Sequence, residues 1–241
     1  MKQAQDISPI LNESETGSLL YNSGFQASSI YPNSKVYLAD CMDLLRQTPD
    51  KYYCLACVDP PYGLGRKLAH SANTNKNSLA KFSKKVHTDK WDYSIPSSKY
   101  FTELIRVSKN YIIWGANHYT THLPPSRCFI AWDKMVFIPS MSRVEMALTS
   151  FDLLPRLIQI NNNDSGRIHP TQKPVALYDW IYKNYLPQGG KVIDTHLGSG
   201  SNRIAANRAG NIDFVGFELD RDYYEAQEKR WKGFISQTRL F

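Results

Sequence analysis

The sequence has few cysteines and no long hydrophobic run, which argues against several kinds of protein. Its 241 residues include four cysteines, too few for a disulfide framework. Cys54 and Cys57 form a CxxC pair, but no second pair completes a four-ligand zinc site. We therefore interpret these thiols as small apolar residues of a buried strand and expect no metal. No segment approaches the roughly 18 apolar residues of a membrane-spanning helix, so we expect none.

The amino terminus lacks the features of an export signal. The first twenty residues contain no apolar stretch behind a basic start, so the expected compartment is the cytoplasm. Residues 1–34 are rich in Ser, Asn and Gln, which predicts a flexible N-terminal arm. The patterns described below occupy residues 35–241 and predict one domain.

The net charge of +7 lies mostly in one segment of the chain. Between residues 66 and 90, seven basic residues stand against one acid, Asp89. This Asn-, Ser- and Lys-rich segment lacks sustained apolar periodicity, which is typical of a long loop. A solvated charged loop is one interpretation, but we favour a loop that binds nucleic-acid phosphates, because it directly follows the strongest motif of the chain. The candidate phosphate contacts are Arg66, Lys67, Lys76, Lys81, Lys84, Lys85 and Lys90.

Short apolar stretches alternate with helical patterns along the rest of the chain. Strands are predicted at 35–40, 53–58, 110–114, 127–132, 144–150, 192–194 and 214–218. Helices are predicted at 41–47, 95–106, 173–185, between the glycines at 198–200 and residue 209, and at 222–234. Residues 152–172 predict an exposed polar excursion. This alternation is typical of an α/β domain built on a mostly parallel sheet.

An acid and a Gly-x-Gly turn follow one of the predicted strands. Asp194 ends that strand, and Gly198-Ser199-Gly200 lead into a helix whose N-terminal N–H groups can bind an anion. Glu218 ends the next strand about 20 residues after the glycines, where an acid can bind ribose hydroxyls. Together these residues predict a site for an adenosine-containing cofactor. The missing third glycine and the absence of a GKS/T motif argue against a dinucleotide site and a P-loop.

The other informative loop is Asp59-Pro60-Pro61-Tyr62, at the end of the predicted strand 53–58. Consecutive prolines fix the backbone, so an acid, carbonyl oxygens and an aromatic ring converge at one strand end. Such a group suits a planar amine: the Asp59 carboxylate and a carbonyl would accept both N–H protons, and Tyr62 would stack on the attached ring. A rigid turn without chemistry is the alternative.

Four segments of the chain occur in an order that is typical of one family. CVDPPYG, HPTQKPVALYDWI, VIDTHLGSGSNRIAANRAG and VGFELDRDYYEAQEKR together resemble the DNA amino-methyltransferases, which methylate adenine N6 or cytosine N4 using S-adenosylmethionine. The catalytic DPPY motif precedes the glycine motif, which is the β-type order of that family. The resemblance covers the chain from about residue 35 to its end. It implies a Rossmann-like, mostly parallel seven-stranded sheet with helices on both faces and a target-recognition region inserted at about 119–168.

The resemblance also implies the role of each matching residue. Asp59 and the Pro60 carbonyl would accept the amino protons of a flipped base, with Pro61 and Tyr62 completing the catalytic motif. Asp194, Gly198, Ser199 and Gly200 would hold the methionine end of the cofactor. The other implied cofactor contacts are Glu218 to the ribose, Asp40 beside the adenine, and His169 and Lys173 at the carboxylate.

One departure from the family pattern concerns the cofactor site. The family usually has Asp-Pro-Phe before its glycines, whereas this chain has Asp194-Thr195-His196. We expect the His196 imidazole to stack on the cofactor in place of the aromatic ring and to add a pH dependence near its usual pKa of ~6.5. Ser201 and Asn202 replace a common Thr-Thr pair.

Several functions stay open on the sequence alone. Asp at the first position of the DPPY motif favours an adenine-N6 methyltransferase acting on double-stranded DNA. An N4-cytosine methyltransferase is the alternative within the family, and a cofactor- and DNA-binding regulator without catalysis is the alternative outside it. A nicotinamide-dependent oxidoreductase is disfavoured by the incomplete glycine pattern. The resemblance further implies a homodimer as one option for the oligomeric state, and a restriction-modification setting for the activity.

Overall fold

The structure is a computed structural model that describes residues 34–64, 92–137, 142–162 and 166–238. The strands are β1 (Ser34–Leu38), β2 (Tyr53–Val58), β3 (Ser108–Trp114), β4 (Phe129–Asp133), β5 (Val144–Thr149), β6 (Arg156–Gln159), β7 (Gly190–Asp194) and β8 (Ile212–Glu218). The helices are α1 (Cys41–Leu45), α2 (Ser98–Val107), α3 (Val175–Tyr185), α4 (Ser201–Ala209) and α5 (Arg221–Thr238), with a 3₁₀ turn at Ala116–His118. The predicted arm, apart from Ser34, and the basic segment 66–90 lie outside the described residues.

All eight strands of the described residues form one sheet in the order β1-β8-β7-β2-β3-β5-β4-β6. Strands β1, β8, β7, β2 and β3 pair in parallel, and so do β4 and β6. Strand β5 runs antiparallel to both of its neighbours, β3 and β4. The predicted mostly parallel α/β sheet is therefore confirmed.

The predicted count of seven strands is wrong for the described residues, which form eight. The additional strand is β6, which falls within the stretch 152–172 that the sequence predicts as a polar excursion. Its residues are mostly exposed, and Ile158 is the buried member of the strand. Because β6 is a four-residue edge strand in which Leu157 is exposed and Ile158 is buried, it is too short to show the alternation that marks a strand. The proposed target-recognition region, about 119–168, thus extends the sheet through β4, β5 and β6 where it is described.

Helices cover both faces of the sheet, as the sequence predicts. Buried residues of α3 and α4, such as Ile181 and Ala205, form one core cluster with the β2, β3 and β7 side chains of that face. Buried residues of α1 and α2, such as Leu44 and Leu104, form a second cluster on the opposite face. The parallel strands are therefore buried on both sides, which explains their continuous apolar sequences.

The two predicted functional loops lie side by side because of this topology. Strand β2 leads through α2 to β3 on one side, whereas its neighbour β7 leads through α4 to β8 on the other side. The chain direction therefore diverges between the carboxyl ends of β2 and β7, and ligands bind at such a divergence in open α/β sheets. Asp59 follows β2 there, and the glycine turn follows β7.

Candidate active site

Two cavities open at this edge of the sheet, and both reach Asp59. The first has a volume of about 360 Å³ and lies over the glycine turn. The second has a volume of about 350 Å³ and lies between the DPPY loop and strands β4 and β5. Asp59, Pro61 and Thr171 line both. A group bound in one cavity can thus meet a group bound in the other at the Asp59 carboxyl.

The first cavity contains most of the predicted cofactor contacts. Seven of them line it: Asp40, His169, Lys173, His196, Gly198, Ser199 and Glu218. The structure adds lining residues that the sequence analysis missed, among them Leu219, Asp220 and Tyr223. Leu219 is 75% exposed although it is apolar, and Tyr223 packs against the ring of His169. The cavity therefore combines an apolar wall with acids, which suits a ligand that has both a flat ring and hydroxyl groups.

Glu218 and Gly198 fix the shape of the glycine turn. The N–H of Gly198 donates to Glu218 Oε2 at 2.8 Å, and the N–H of Asp220 donates to Glu218 Oε1 at 2.9 Å. Burial raises the pKa of Glu218, while these two backbone donors lower it. Each carboxylate oxygen keeps acceptor capacity, because it has more than one lone-pair site. Glu218 can thus hold the turn and still accept a hydrogen bond from a ligand hydroxyl.

Two of the predicted cofactor contacts, Asp194 and Gly200, do not line the first cavity. Their side chain and backbone support the glycine turn instead. The Asp194 carboxylate accepts from the His196 N–H at 3.1 Å and from Asn202 Nδ2 at 2.9 Å. The same Asn202 amide group donates to the carbonyl of Cys57 at 3.0 Å, so it joins the ends of β2 and β7. Gly200 caps α4 in the left-handed region, with φ of 74°. Both residues shape the turn from beneath it.

Burial of Asp194 leads to a testable pH dependence of stability. Burial raises the pKa of this carboxyl to about 7, although Asn202 and the His196 N–H lower it. In the unfolded chain the pKa of an Asp carboxyl is ~3.9. The folded state therefore binds this proton more tightly than the unfolded state between pH 4 and 7. The contribution of Asp194 to the free energy of unfolding should then fall as pH rises through this window, by at most roughly 4 kcal/mol.

We expect the Asp194→Asn variant to lose that part of the pH dependence. The measurement is urea unfolding of the wild type and the variant at intervals from pH 4 to 8. At each pH the free energy of unfolding of the variant is subtracted from that of the wild type, and this difference should fall as pH rises. Asp213→Asn on the exposed side of β8 is the control and should follow the wild type. A difference that is constant across this range would contradict the assigned ionisation.

The structure contradicts the predicted pH dependence of His196. Burial lowers the pKa of its imidazole to about 4, so the ring is neutral at pH 6.5 and above. Its Nδ1 lies 3.0 Å from Thr195 Oγ1, which lies 2.6 Å from the hydroxyl of Tyr100. The Tyr100 ring also contacts the His196 ring edge to face. The unusual Thr195-His196 pair is thus held by α2, and a neutral ring faces the cavity.

The DPPY loop is held from several sides. Tyr62 donates from its hydroxyl to Asp59 Oδ1 at 2.6 Å. The Asp92 carboxylate accepts from the N–H groups of Gly63 at 2.8 Å and Leu64 at 3.2 Å. The hydroxyl of Tyr119 donates to the carbonyls of Pro60 and Pro61, at 2.6 and 2.8 Å. The Pro60 carbonyl, a predicted acceptor for the amine, therefore has one lone pair engaged by Tyr119 and a second one available.

Tyr62 lies against residues that follow β3. The ring of His118 stacks on it with a centroid distance of 4.9 Å and an interplanar angle of 14°. Gly115 has a φ of 69°, and a Cβ placed there would lie 2.1 Å from Cε1 of Tyr62. The sequence analysis missed both residues, although they follow a strand that ends beside β2. Among the described glycines, Gly115 is the one at which a Cβ would come closest to Tyr62.

A row of alternating charges runs from Asp59 through Lys173 and Glu145 to Lys134. The Lys173 ammonium contacts the Asp59 carboxylate, lies 3.2 Å from the Tyr62 hydroxyl and lies 3.1 Å from Glu145 Oε2. The Lys134 ammonium lies 3.0 Å from Glu145 Oε1. Lys173 thus pairs with two carboxylates of the protein itself, those of Asp59 and Glu145. Its contact with a cofactor carboxylate stays a prediction. Glu145 and Lys134 were missed, although Glu145 is the one acid in the apolar stretch VEMALT.

The candidate phosphate contacts lie outside the described residues, but the residues that flank them do not. Leu64 and Asp92 come directly before and after the undescribed stretch 65–91, and both line the second cavity. The hydrogen bond from the Leu64 N–H to Asp92 holds these two ends together. The described residues on either side of this stretch therefore lie at the second cavity.

Comparisons with known proteins agree with this fold. Residues 113–229 match the family model described as DNA methylase. A type II methyltransferase of Streptococcus pneumoniae, M2.DpnII, is 34% identical over 62 residues, which are 26% of this chain and 23% of that protein. This chain thus matches only about a quarter of the length of that curated relative. Together with the order of its motifs, these matches support membership of the DNA amino-methyltransferase family, whose members act on adenine N6 or cytosine N4.

Solved structures show the same fold at low sequence identity. The PvuII DNA methyltransferase, described as cytosine-N4-specific, superposes with a TM-score of 0.55 and 14% identity over 82% of this chain and 86% of that one. A putative DNA modification methylase of Thermus thermophilus, TTHA0409, in complex with S-adenosyl-L-methionine, gives a TM-score of 0.51 and 14% identity over 84% and 96% of the two chains. No helix in the described part of the chain is long and apolar enough to cross a membrane.

Proposed function

We propose that this protein transfers a methyl group from S-adenosylmethionine to the N6 amino group of adenine in double-stranded DNA. The observation that carries the proposal is the meeting of two cavities at Asp59, with Pro61 and Thr171 in both walls. A cofactor in the first cavity and a flipped base in the second would bring methyl group and amine together at this carboxyl. The DPPY sequence of the loop favours adenine over cytosine.

The first cavity fits this cofactor in size and chemistry. Its volume of about 360 Å³ lies within the usual ~300–1,000 Å³ of small-molecule sites. Glu218 offers a carboxylate for ribose hydroxyls, and Leu219 and Tyr223 offer apolar surface for the adenine ring. The neutral His196 ring supplies a flat surface without a repulsive charge toward a sulfonium. We therefore assign the seven cofactor contacts that line this cavity to binding, and Asp194 and Gly200 to shaping the turn.

The chain's own residues would prepare the amine for attack. When bound, S-adenosylmethionine supplies an electrophilic methyl group on a positively charged sulfur. Asp59 would accept one amino proton and the free lone pair of the Pro60 carbonyl the other, which favours a more tetrahedral and more nucleophilic nitrogen. Tyr62 would hold the base on the face of its ring. A new N–C bond would form as the S–C bond breaks, the S–C electron pair would stay on the sulfur of S-adenosylhomocysteine, and the Asp59 carboxylate would take up the proton that the amine loses.

The second cavity and the basic segment would bind the DNA. The cavity is lined by Asp59, Pro60, Pro61 and Tyr62, to which this proposal assigns catalysis. The flanks of the basic segment lie at its wall, so Arg66, Lys67, Lys76, Lys81, Lys84, Lys85 and Lys90 would contact phosphates next to the flipped base. These contacts would offset the few kcal/mol that base flipping costs.

The test is to identify the methylated nucleoside. The protein is incubated with unmethylated genomic DNA and methyl-labelled S-adenosylmethionine, and the digested DNA is analysed by mass spectrometry. We expect label in N6-methyladenine. Label in N4-methylcytosine would overturn the base assignment and leave the reaction class. Absence of label, together with cofactor binding measured by calorimetry, would overturn the enzyme assignment in favour of a binding regulator.

A further inference from the structure

Glu145 lies at the centre of a buried ionic chain that ends on the catalytic acid. It contacts Lys134 on one side and Lys173 on the other, and Lys173 in turn contacts Asp59. The exposed fractions of these side chains are low, with 3% for Lys173, 6% for Lys134 and 22% for Glu145. Two carboxylates alternate with two ammonium groups, so these four side chains together carry no net formal charge. Charges buried this far need such partners.

The four residues come from four different parts of the fold. Asp59 follows β2, Lys134 follows β4, Glu145 lies in β5 and Lys173 precedes α3. Glu145 and Lys134 line the second cavity, Lys173 lines the first, and Asp59 lines both. The ionic chain therefore connects the strands of the second cavity to the carboxyl at which the cavities meet.

The Lys173 ammonium competes with a substrate amine for Asp59. It donates hydrogen bonds to Asp59 and the Tyr62 hydroxyl, and it forms an ion pair with Glu145 at 3.1 Å. An ammonium that is shared by two carboxylates neutralises each of them only in part. Without the charge of Glu145, Lys173 would pair with Asp59 alone, and the Asp59 oxygens would be poorer acceptors for an amino group.

We propose that Glu145 is a positioning residue for methyl transfer: it shares the Lys173 ammonium with Asp59 and so keeps the Asp59 carboxylate available to the amino group of the base. This inference rests on the proposed function, because it assigns the amine to Asp59. Glu145 acts through Lys173 and is not itself placed at the reacting atoms.

The electrostatic surroundings of Asp59 give the direction of the expected effect. The ionisable groups that face it are Lys173 before α3, Tyr178 in α3, Glu145 in β5, Tyr62 in its own loop, Asp194 at the end of β7, Tyr100 in α2, Tyr119 after the 3₁₀ turn, and Cys57 in β2. Burial raises the pKa of Asp59, Lys173 lowers it, and Glu145 raises it. Removing the Glu145 charge should therefore lower the pKa of Asp59.

The first measurement does not depend on activity. The protein is labelled with ¹³C-aspartate, the Asp59 carboxyl signal is assigned with the Asp59→Asn variant, and its apparent titration is followed by NMR. In Glu145→Gln we expect the midpoint to fall by about 0.5 unit or more. Glu145→Asp keeps the charge and should stay close to the wild type. An unchanged midpoint in Glu145→Gln would overturn the proposal whether or not the wild-type protein methylates DNA.

The second measurement is the kinetics of methyl transfer on DNA at saturating cofactor. We expect Glu145→Gln to lower kcat about tenfold near pH 7.5, to move the acid limb of the pH profile to lower pH, and to leave cofactor affinity within about twofold. Glu145→Asp should restore part of kcat. A wild-type kcat and pH profile in Glu145→Gln would overturn the positioning role, whereas an inactive wild type would overturn the proposed function itself.

Two further variants separate this effect from loss of folding. Glu145→Gln combined with Lys134→Met removes the cation that the single change leaves unpaired, and should show the same lowered Asp59 midpoint. Glu103→Gln removes a carboxylate of similar exposure, 24%, from an ion pair with Arg106 outside both cavities. It should change neither the Asp59 midpoint nor kcat. A purely structural role of Glu145 would lower thermal stability without moving the Asp59 midpoint.

Discussion

Replacing Asp59 by Asn is expected to lower kcat for DNA methylation by about 10²–10³-fold, the usual effect of losing one pre-organised hydrogen-bonding group at a reacting centre. Asn has the shape of Asp, but one of its two terminal groups is a donor and it carries no charge. Asn at this position is therefore a weaker hydrogen-bond acceptor for the amino group. It also cannot take up the proton that the methylated amine releases. The change is measured under single-turnover conditions with saturating DNA and labelled S-adenosylmethionine.

Cofactor binding should survive this substitution, which distinguishes a catalytic acid from a structural one. Asp59 is one of many residues that line the first cavity, and Glu218 and the glycine turn line it independently of Asp59. We expect the calorimetric Kd for the cofactor to change by less than about threefold. Lys173 keeps Glu145 as a counter-ion, so no unpaired buried charge remains. Asp50→Asn, whose side chain is 75% exposed and lines neither cavity, is the control and should keep the wild-type kcat.

Either of two results would contradict the assignment of Asp59. A variant with more than a tenth of the wild-type kcat would mean that the amine is activated by another group, with the Pro60 carbonyl as the remaining acceptor. Loss of cofactor binding in parallel with activity would mean that Asp59 supports the first cavity, and the meeting point of the two cavities would lie elsewhere.

The strands and loops that carry these residues could be predicted because their signals are local. The apolar run of β2 ends abruptly at Pro60 and Pro61, and the β7 stretch runs into Gly198 and Gly200. Parallel strands buried on both faces have continuous apolar sequences, which the chain shows clearly. Strand β6 gave no such signal, because at the edge of the sheet most of its side chains face solvent.

The fine structure of the site could not be predicted because it depends on contacts between distant parts of the chain. Lys173 lies 114 positions from Asp59 in sequence, and only the fold shows that they are ion-paired. The position of Asp194 beneath the turn depends on Asn202, a residue that the sequence marks only as a departure from the family pattern. The neutral state of His196 depends on how deeply α2 and the turn bury it. In each case the residue type was visible and its partner was not.

Gly115→Ala is expected to abolish most of the activity by displacing Tyr62, although Gly115 has no side chain of its own. A Cβ at this position would lie 2.1 Å from Cε1 of Tyr62 and 2.6 Å from Cδ1 and Cζ, closer than real Cβ atoms approach. The ring would have to move by more than about 1 Å, which breaks its hydrogen bond to Asp59 and its stacking on His118. A misplacement of this size costs about 10²-fold in rate.

The effect should appear in kcat for DNA and not in cofactor affinity. Gly115 and Tyr62 line the second cavity and are absent from the lining of the first. We therefore expect kcat to fall about 10²-fold or more while the cofactor Kd stays within about twofold. Fluorescence-detected binding of DNA that contains an unpaired target base would report the damaged second cavity directly, as weaker binding by Gly115→Ala.

Backbone strain at Gly115 has to be separated from the clash with Tyr62, and the chain offers a matched control. Gly210 has a φ of 79°, close to the 69° of Gly115, but a Cβ there would meet nothing within 4 Å. Gly210→Ala therefore introduces similar left-handed strain, ~1–2 kcal/mol, without any steric contact. It should lower the Tm and leave kcat unchanged. If Gly115→Ala and Gly210→Ala lose stability equally and both keep full activity, Tyr62 tolerates displacement and its assigned place under the target base is wrong.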